Sequence, residues 1–478
     1  MKKTKIVVTV GPACEEPARL ESLILAGADV MRINASHTTP EGIAAWVKKI
    51  RRAAAHTRCP IGIMVDLQGP RLRTGKLEGG KPIFLKSGEK ICLEASSKIG
   101  TMGLITTPCR EFPNMVKAGD RILLDNGLME LRVIETEKKR VLCRVVMGGL
   151  LKENKGINLP SAPITLPALT RKDVGDLQAA AKLDVDFIAL SFVRTEKDMA
   201  VLKRWLKAHQ KQIPVIAKIE KPRALEHIDA ILEMADGIMV ARGDLGIELG
   251  VAKVPAIQKR LIETANRAGV PVITATQMLE SMIEKATPTR AEVSDIANAV
   301  FDGTDAVMLS GETAVGEYPL NTVHVMSDIV LEAEKSPVNP DADVTPMPHH
   351  SAQHEDLAIY SVTRAARNAQ SDLKARAIVV FTLSGKTARL VSKFKPASPI
   401  IALCPDEKVS RRLSLLRGVI PLLIKYGKNT DQMLARSDQV ILTAGLLKRG
   451  DTVVVVSGRQ ALPASRYMLT VHRMGQNI

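Results

Sequence analysis

Short apolar runs and amphipathic helical segments alternate over most of the chain. Apolar runs typical of β-strands cover residues 4–10, 29–35 and 61–66, and segments of helical periodicity separate them. The alternation resumes near Leu166 with five further runs, at 187–191, 214–219, 237–241, 271–275 and 305–309. Eight strands with intervening helices predict an α/β fold built on a (β/α)8 TIM barrel, whose functional residues lie at the carboxyl ends of the strands.

Two regions depart from this rhythm. Between residues 72 and 162, short β-prone runs at 82–85, 90–93, 121–124, 131–134 and 141–146 are separated by Gly, Asp and Asn, which predicts an inserted all-β domain. After a proline-rich segment around 336–350, helices alternate with runs at 377–381, 399–403, 421–424 and 452–456. We therefore expect four segments: first part of the barrel (1–71), inserted β domain (72–162), second part of the barrel (163–338) and C-terminal α/β domain (339–478).

Charge and composition narrow the class of partners. The 478 residues carry a formal net charge of +16, which favours phosphorylated metabolites, nucleotides or nucleic acid as ligands. Aromatic residues make up only 3%, so the stacking platforms of a single-strand nucleic-acid binder are not expected. No apolar run approaches the ~20 residues that span a bilayer. The six cysteines form no CxxC pair, which is typical of a reduced compartment, and we expect a cytoplasmic protein.

Charged side chains gather at the ends of two neighbouring predicted strands. Lys218 and Glu220 are two residues apart, and such residues share one face of a strand. The next strand ends in Arg242-Gly243-Asp244-Leu245-Gly246, which we interpret as a glycine-rich turn with free backbone N–H groups. A lysine, two carboxylates and such a turn at one edge of a sheet suit a divalent metal and a phosphorylated substrate.

Other strand ends carry weaker signals. Period two places Arg32, Asn34 and Ser36 on one face, and Asp66 ends the neighbouring strand. Their oxygens suit a small cation and the guanidinium suits a phosphate, although a polar strand end can also satisfy only its own backbone. Thr276 ends another strand, where its hydroxyl can donate a hydrogen bond or relay a proton.

The sequence predicts a phosphate pocket in the C-terminal domain. Residues Thr382, Ser384, Gly385, Lys386 and Thr387 connect a predicted strand to a helix. A nucleoside-triphosphate P-loop is excluded because Val380 stands where its first glycine is needed. Hydroxyls and amides at a helix start favour phosphate binding, and the alternative is a plain helix cap.

Several long motifs, in the right order along nearly the whole chain, resemble those of the pyruvate kinase family. They are MRINASH (31–37), VDLQGPRLRTG (65–75), NKGINLP (154–160), IAKIE (216–220), MVARGDLGIE (239–248), ITATQMLESM (273–282) and PTRAEVSDIANAVFDGTDAVMLSGETA (288–314). The resemblance implies transfer of a phosphoryl group from phosphoenolpyruvate to ADP, giving pyruvate and ATP in the last step of glycolysis. It also implies a homotetramer.

Roles at the strand ends follow from this resemblance. Glu220 and Asp244 match the protein ligands of the Mg²⁺ that phosphoenolpyruvate holds, and Lys218 matches the cation beside the transferred phosphoryl group. Arg32 matches a contact to that phosphoryl group. The backbone of Gly243 and Asp244, with the Thr276 hydroxyl, matches the site of the substrate carboxylate, and Thr276 also matches the residue near which the enolate receives a proton through water.

The resemblance extends to the nucleotide, the lid and monovalent cations. Arg73, Lys155 and Asp125 match nucleotide contacts, the inserted domain matches a lid that closes over ADP, and a second Mg²⁺ arrives with the nucleotide. Many members bind K⁺ through residues that match Asn34, Ser36, Asp66 and the Leu67 carbonyl. They carry an acidic residue where Arg71 stands, whereas members with a lysine there work without K⁺. We therefore expect Arg71 to replace K⁺, so that the chain resembles the potassium-independent subgroup.

Regulation is implied as well. The 382–387 loop matches the family's site for a phosphorylated activator in the C-terminal domain. Residues 457–467 lack the glycine- and threonine-rich loop of many members that fructose 1,6-bisphosphate activates. A sugar monophosphate or a nucleotide is therefore an equal candidate for the effector.

Three other functions fit parts of the pattern. Lysines at barrel strand ends form Schiff bases in aldolases, although Glu220 beside Lys218 favours a charged ammonium over a nucleophilic amine. A metal-dependent lyase would use Glu220 and Asp244 but would leave the lid and Lys155 unexplained. A nucleic-acid-binding protein would bind duplexes in a salt-sensitive way without Mg²⁺.

Overall fold

The computed structural model describes residues 2–160, 166–336, 354–427, 429–458 and 467–476. The predicted domain boundaries at 162/163 and 338/339 and most of the proline-rich segment lie outside these ranges. None of the helices in the described residues combines the length and the apolar character needed to cross a membrane.

Eight parallel strands close into a barrel, as the alternation of apolar runs predicts. The first part of the barrel contains β1 (Lys5–Thr9), α1 (Pro17–Leu25), β2 (Val30–Asn34), α2 (Pro40–Thr57) and β3 (Gly62–Asp66). Every residue of β1 and β3 is buried. This follows because helices cover the outside of a parallel barrel and side-chain layers fill its inside.

The insertion after β3 is an all-β unit with its own core. Its strands are β4 (Ile83–Leu85), β5 (Lys90–Ala95), β6 (Leu104–Thr107), β7 (Arg121–Leu124), β8 (Met129–Thr136), β9 (Arg140–Met147), β10 (Gly149–Leu151) and β11 (Ile157–Asn158). Six form one sheet in the order β11-β7-β8-β9-β5-β6, and β10 pairs with β4. The pattern missed β6, β10 and β11, which are too short to alternate visibly.

The second part of the barrel supplies five strands and most of the covering helices. Its elements are α3 (Arg171–Lys182), β12 (Phe187–Val193), α4 (Glu196–Ala208), β13 (Val215–Ile219), α5 (Pro222–Glu226), α6 (Ile228–Met234), β14 (Gly237–Ala241), α7 (Arg242–Leu249), α8 (Val254–Arg267), β15 (Val272–Ala275), α9 (Arg290–Phe301), β16 (Ala306–Leu309), α10 (Gly311–Ala314) and α11 (Pro319–Lys335). The strand order β1-β16-β15-β14-β13-β12-β3-β2 closes the barrel.

The prediction of a glycine-rich turn at residues 242–246 is wrong. These residues form the first turns of α7, which follows β14 without a connecting loop. The acidic Asp244 lies in the first helical turn, where it interacts favourably with the helix dipole, and Leu245 and Gly246 are buried. Burial of these small and apolar residues outweighs the weak helix propensity of the two glycines.

The C-terminal part folds around a five-stranded sheet in the order β19-β18-β17-β20-β21. Its elements are α12 (His354–Asp372), β17 (Ala377–Phe381), α13 (Lys386–Lys393), β18 (Ile400–Cys404), α14 (Glu407–Leu413), β19 (Val419–Leu423), α15 (Thr430–Thr443), β20 (Thr452–Ser457) and β21 (Met468–Arg473). The antiparallel edge strand β21 was not predicted. Pro421 lies inside β19, which tolerates it because β19 is the other edge strand.

A repeated aspartate marks the amino-terminal rim of the barrel. One residue before each of four alternate strands (β2, β12, β14 and β16), an aspartate carboxylate accepts a backbone N–H from the start of the neighbouring strand. The pairs are Asp29 with Ile6, Asp186 with Ile63, Asp236 with Val215 and Asp305 with Val272, at 2.8–2.9 Å. The rim therefore carries negative charge opposite the candidate active site, and two of the four carboxylates, those of Asp186 and Asp305, are buried.

The C-terminal part packs against this rim and neutralises its two buried aspartates, Asp186 and Asp305. Leu415 packs into the cluster of apolar side chains inside the barrel. Arg411 Nε lies 3.0 Å from Asp186 Oδ1. Lys393 is fully buried, pairs with Asp305, and donates from Nζ to Asn266 Oδ1 at 2.9 Å. Burial of Lys393 lowers its pKa from 10.5 to about 8, although Asp305 opposes the shift.

The buried Lys393 is expected to make stability rise with pH. Between pH 8 and 10.5 the unfolded chain binds a proton at this residue that the folded protein does not, so the unfolding free energy increases across that window. Thermal unfolding should be measured at pH 7.5 and 9.5 for the unaltered protein and for Lys393→Met. Between these pH values the Tm of the unaltered protein should rise relative to the Tm of the variant, by about 2–4 °C for each kcal/mol of unfolding free energy. Lys203→Met, in the partly exposed Lys203–Asp236 pair, is the control. Parallel pH profiles for the unaltered protein and Lys393→Met would contradict the expectation.

Candidate active site

Lys218 and Glu220 meet at the carboxyl end of β13, as their spacing predicts. Lys218 Nζ lies 2.9 Å from Glu220 Oε1 and 3.4 Å from Asp66 Oδ1. Its ammonium also donates to Ser191 Oγ at 2.8 Å. Ser191 lies near the end of β12 and was not predicted, because a serine within an apolar strand carries no distinguishing pattern. Three neighbouring strands thus converge on one ammonium group.

Asp66 joins this lysine to Arg32. The Asp66 carboxylate is buried, and Arg32 donates to its Oδ2 from Nε at 2.7 Å. Burial alone would raise the pKa of Asp66, but Lys218 and Arg32 outweigh it and lower the pKa. The Ser191 hydroxyl donates to the Leu67 carbonyl at 2.7 Å, so the same network includes the backbone after β3.

The two carboxylates expected to bind metal influence each other electrostatically. Burial raises the pKa of Glu220, and the nearby Asp244 raises it further although Lys218 opposes the shift. Glu220 Oε2 also accepts the Phe192 N–H at 2.7 Å. A buried and a partly buried carboxylate near each other at the strand ends fit a divalent metal, because the ion would relieve the repulsion that Asp244 exerts on Glu220.

The protonation of Lys218 argues against the Schiff-base alternative. Burial lowers its pKa, but Asp66 and Glu220 together outweigh that effect and raise it. A charged ammonium is a poor nucleophile, whereas it stabilises negative charge on a phosphoryl group well. The geometry therefore favours electrostatic catalysis over covalent catalysis.

Arg71 bridges the barrel and the inserted domain. Its guanidinium lies 3.8 Å from Asp244 Oδ1 and donates to Asn126 Oδ1 at 3.0 Å. Asn126 occupies the turn between β7 and β8, where it and Asp125 adopt the left-handed conformation that these residue types tolerate. A cleft of about 550 Å³ separates this hairpin from α7. The inserted domain therefore faces the strand ends across a ligand-sized space.

The predicted nucleotide contacts lie on the same side of the inserted domain. Lys155 Nζ is 3.0 Å from Asp125 Oδ1, so the turn between β7 and β8 holds this lysine. Arg73 donates to the Asn154 carbonyl at 3.0 Å. Burial, with repulsion from Arg71, lowers the pKa of Arg73. These three predicted residues are thus near one another and near Arg71.

The expectation that Ser36 continues the face of β2 is wrong. The strand ends at Asn34, and residues 35–37 form a 3-10 turn. The Asn34 side chain accepts the Ser36 N–H at 3.1 Å and caps this turn. A polar side chain that can satisfy its own backbone ends the strand here. The Arg71 guanidinium contacts Asp244 and Asn126, which lie outside this turn.

Thr276 directly follows β15 and lies beside the start of α7. Its hydroxyl oxygen accepts the Gly243 N–H at 2.8 Å, which brings together two groups predicted to hold the substrate carboxylate. Thr276 and Gln277 have φ values of 70° and 54°. Such left-handed conformations are uncommon in non-glycine residues and are outliers for β-branched ones.

The predicted phosphate pocket in the C-terminal part is an ordered loop. Gly385 adopts a left-handed conformation at the start of α13, and its N–H donates to Thr382 Oγ1 at 3.0 Å. Gly458, at the end of β20, approaches Thr387 closely enough that a Cβ there would lie 2.7 Å from the threonine hydroxyl. Residues 459–466, which belong to the segment predicted to differ from fructose-bisphosphate-activated enzymes, lie outside the described residues.

Taken together, the barrel, the buried lysine and carboxylates at its strand ends and the β domain above them define a metal-dependent phosphoryl-transfer enzyme. The comparisons with known proteins identify which one. The barrel-domain model of pyruvate kinase matches residues 1–323, and the alpha/beta-domain model of pyruvate kinase matches residues 360–472. The chain belongs to the pyruvate kinase family, and it is a phosphotransferase.

Individual relatives agree over the full length. The chain is 42% identical over 460 residues to a pyruvate kinase from Geobacillus stearothermophilus, covering 96% of this chain and 78% of that protein. It is 40% identical over 477 residues to a pyruvate kinase from Corynebacterium glutamicum, covering 100% and 98%. A crystal structure of a pyruvate kinase from Cryptosporidium parvum superimposes with a TM-score of 0.92 at 36% identity, covering 99% of this chain and 96% of that one.

Proposed function

We propose that this protein transfers the phosphoryl group of phosphoenolpyruvate to ADP at the Lys218–Glu220 edge. The observation that carries the proposal is the position of the buried Lys218 ammonium, 2.9 Å from Glu220 and within reach of strands β3 and β12. Lys218 and Arg32 neutralise the charge that develops on the phosphoryl group in flight. Because Asp66 and Ser191 hold both cations in place, little reorganisation is needed during transfer.

Glu220 and Asp244 are the residues that we propose for the divalent metal of the family, Mg²⁺. The ion, when bound, supplies positive charge to the substrate and neutralises the leaving enolate oxygen. Lys218 keeps Glu220 oriented toward the site through their 2.9 Å contact. Arg71, 3.8 Å from Asp244, balances the second carboxylate.

Substrate orientation falls to Gly243, Asp244 and Thr276. The Gly243 N–H donates to the Thr276 hydroxyl oxygen at 2.8 Å, and this hydroxyl donates to the Ala275 carbonyl at 2.6 Å. A substrate carboxylate would exchange these contacts for its own hydrogen bonds to the same groups beside the start of α7. The Thr276 hydroxyl then relays a proton through water to the enolate carbon after phosphoryl transfer. ADP, accompanied by a second Mg²⁺, binds between the strand ends of the barrel and the inserted domain, which supplies Arg73 and the Lys155–Asp125 pair and closes as a lid.

A coupled assay of pyruvate formation tests the proposal. Lactate dehydrogenase reports pyruvate from phosphoenolpyruvate and ADP, and we expect turnover that needs Mg²⁺ and stops with excess EDTA. Purified protein that binds Mg²⁺ and ADP yet forms no pyruvate would overturn the assignment. Added glucose 6-phosphate, AMP and fructose 1,6-bisphosphate test for an effector at Thr382, Ser384, Gly385, Lys386 and Thr387.

Arg71 is expected to remove the need for K⁺. The fixed guanidinium beside Asp244 supplies the positive charge that the monovalent ion brings in many members of the family. We propose that the site formed by Asn34, Ser36, Asp66 and the Leu67 carbonyl is therefore dispensable. Activity in tetramethylammonium buffer should be within about twofold of that in K⁺, whereas Arg71→Glu should lose at least about tenfold in tetramethylammonium and recover with K⁺.

Two outcomes make this expectation testable. Arg71→Lys is the matched control, since it keeps the charge and should remain independent of K⁺. A collapse of the unaltered enzyme in tetramethylammonium, reversed by K⁺, would show that Arg71 does not replace the ion.

Domain limits, assembly and location are proposals as well. We place the limits at 1–71, 72–162, 163–338 and 339–478, which agrees with the separate cores of the barrel, the insertion and the C-terminal sheet. A cytoplasmic homotetramer fits the family's assembly and the reduced cysteines. Size-exclusion chromatography with light scattering tests the assembly.

A further inference from the structure

Arg242, the first residue of α7, contacts the loop that carries Thr276. This side chain is buried, and its Nε and second terminal nitrogen face the backbone after β15. The NH2 group donates to the Thr276 carbonyl at 2.7 Å and to the Gln277 carbonyl at 3.2 Å. Nε lies 3.3 Å from the carbonyls of Ala275 and Thr276. One guanidinium therefore contacts three consecutive carbonyl groups.

The other face of Arg242 is fixed by side chains of two different helices. Its NH1 group lies 2.6 and 2.8 Å from the two carboxylate oxygens of Asp295, in α9. The same nitrogen donates to Gln258 Oε1, in α8, at 3.2 Å. All the N–H groups of the guanidinium thus have acceptors, and its plane cannot rotate without losing several of them.

The loop that Arg242 holds is unfavourable by itself. Thr276 and Gln277 both have positive φ, and left-handed residues in succession persist in L-residues only where the surroundings determine them. This conformation directs the Thr276 hydroxyl to the Gly243 N–H, next in sequence to Arg242. Arg242 therefore holds the backbone of the loop, and the adjacent Gly243 holds the Thr276 hydroxyl.

We propose that Arg242 and Asp295 are positioning residues for proton delivery by Thr276. Asp295 orients Arg242, Arg242 holds residues 275–277 in the left-handed bend, and the bend aims the Thr276 hydroxyl at the substrate. The inference rests on the proposed role of Thr276. Neither Arg242 nor Asp295 contacts the reacting atoms.

The proton step defines what a displaced hydroxyl would change. After the phosphorus–oxygen bond of phosphoenolpyruvate breaks, the enolate oxygen becomes the carbonyl of pyruvate. C3 takes one proton from water next to Thr276 through the electron pair of its double bond. A held hydroxyl delivers this proton to one face of C3, whereas an enolate protonated without guidance takes it on either face.

The experiment compares Asp295→Asn with the unaltered enzyme. The substrate is the C3-methyl homologue of phosphoenolpyruvate in D2O, whose product carries a deuterium-bearing stereocentre at C3. Reduction by lactate dehydrogenase traps it as 2-hydroxybutyrate, and NMR counts the two diastereomers. We expect one dominant diastereomer for the unaltered enzyme and a ratio near 1:1 for the variant, with kcat lowered about 10- to 100-fold. Asp295→Glu should recover most of the selectivity.

Controls separate this inference from the proposed function. Glu263→Gln removes a carboxylate of similar exposure from the Glu263–Arg267 pair of α8 and should leave rate and selectivity unchanged. If Thr276→Val keeps full selectivity, the proposed role of Thr276 is wrong. If Thr276→Val loses selectivity while Asp295→Asn and Arg242→Lys both keep it, only the positioning inference is overturned. Because selectivity is a ratio among turnovers, partial unfolding of a variant lowers the rate without changing it.

Discussion

Lys218→Met is expected to lower kcat by at least about 1000-fold, the range in which removal of a charged group at a transition state falls. The side chain of methionine fills a similar volume but carries no charge. Lys218 contacts Glu220, Asp66 and Ser191, so its loss leaves two buried carboxylates without their shared cation. The transferred phosphoryl group then meets negative charge where the enzyme presents an ammonium group.

Steady-state coupled assays with saturating Mg²⁺, phosphoenolpyruvate and ADP measure this effect. Lys203→Met is the matched control, because it removes a lysine at the opposite rim of the barrel. Lys203 Nζ lies 3.2 Å from Asp236 Oδ2. It should keep kcat within about twofold. Turnover by folded Lys218→Met within tenfold of the unaltered enzyme would exclude Lys218 from catalysis, and circular dichroism establishes whether the variant is folded.

The fold was predictable where burial imposes a regular pattern. All eight barrel strands follow from apolar runs, because strands of a parallel barrel are buried on both faces. Short or exposed strands were missed: β10 has three residues, and β21 is an edge strand with partly exposed alternate positions. The repeated aspartate before alternate strands leaves no local signature in the sequence. Its role becomes visible only when the neighbouring strand that donates the N–H is known.

The candidate site also contains features that a local sequence pattern predicts and others that it does not. Lys218 and Glu220 were found because spacing within one strand determines their common face. Three other contacts join residues far apart in sequence, so no local pattern predicts them. They are Ser191 with Lys218, Arg71 with Asn126, and Arg242 with Asp295. The same limit explains the error at residues 242–246. Two glycines favour a turn locally, whereas burial of Leu245 beneath the barrel rim favours a helix.

The two ends of the barrel use charge differently. At the amino-terminal rim each aspartate accepts a backbone N–H and most also face a cation, as Asp305 faces Lys393 and Asp186 faces Arg411. At the carboxyl end Glu220 and Asp244 share their cations with other groups, and burial together with the Asp244 charge raises the pKa of Glu220 although Lys218 opposes the shift. Full neutralisation stabilises the fold, and incomplete neutralisation leaves an affinity for a divalent ion.

Glu220→Gln is therefore expected to raise the Mg²⁺ concentration for half-maximal activity by at least about 100-fold, the upper end of the losses seen even for residues that only support metal ligands. The amide carries no charge. It also cannot match its surroundings, because one carboxylate oxygen of Glu220 faces the Lys218 ammonium and the other faces the Phe192 N–H. Whichever way the amide is turned, its NH2 group meets a donor.

Metal binding can be measured apart from turnover. Electron paramagnetic resonance of free Mn²⁺, with phosphoenolpyruvate present, gives the dissociation constant directly. Glu248→Gln is the control, since Glu248 is also buried and paired with a lysine, Lys221, but belongs to the far part of α7. That variant should lose stability while keeping its Mn²⁺ affinity within about threefold. If Glu220→Gln binds Mn²⁺ as tightly as the unaltered enzyme, the metal ligands lie elsewhere, and the coupling of Glu220 with Asp244 serves only to tune the charge around Lys218.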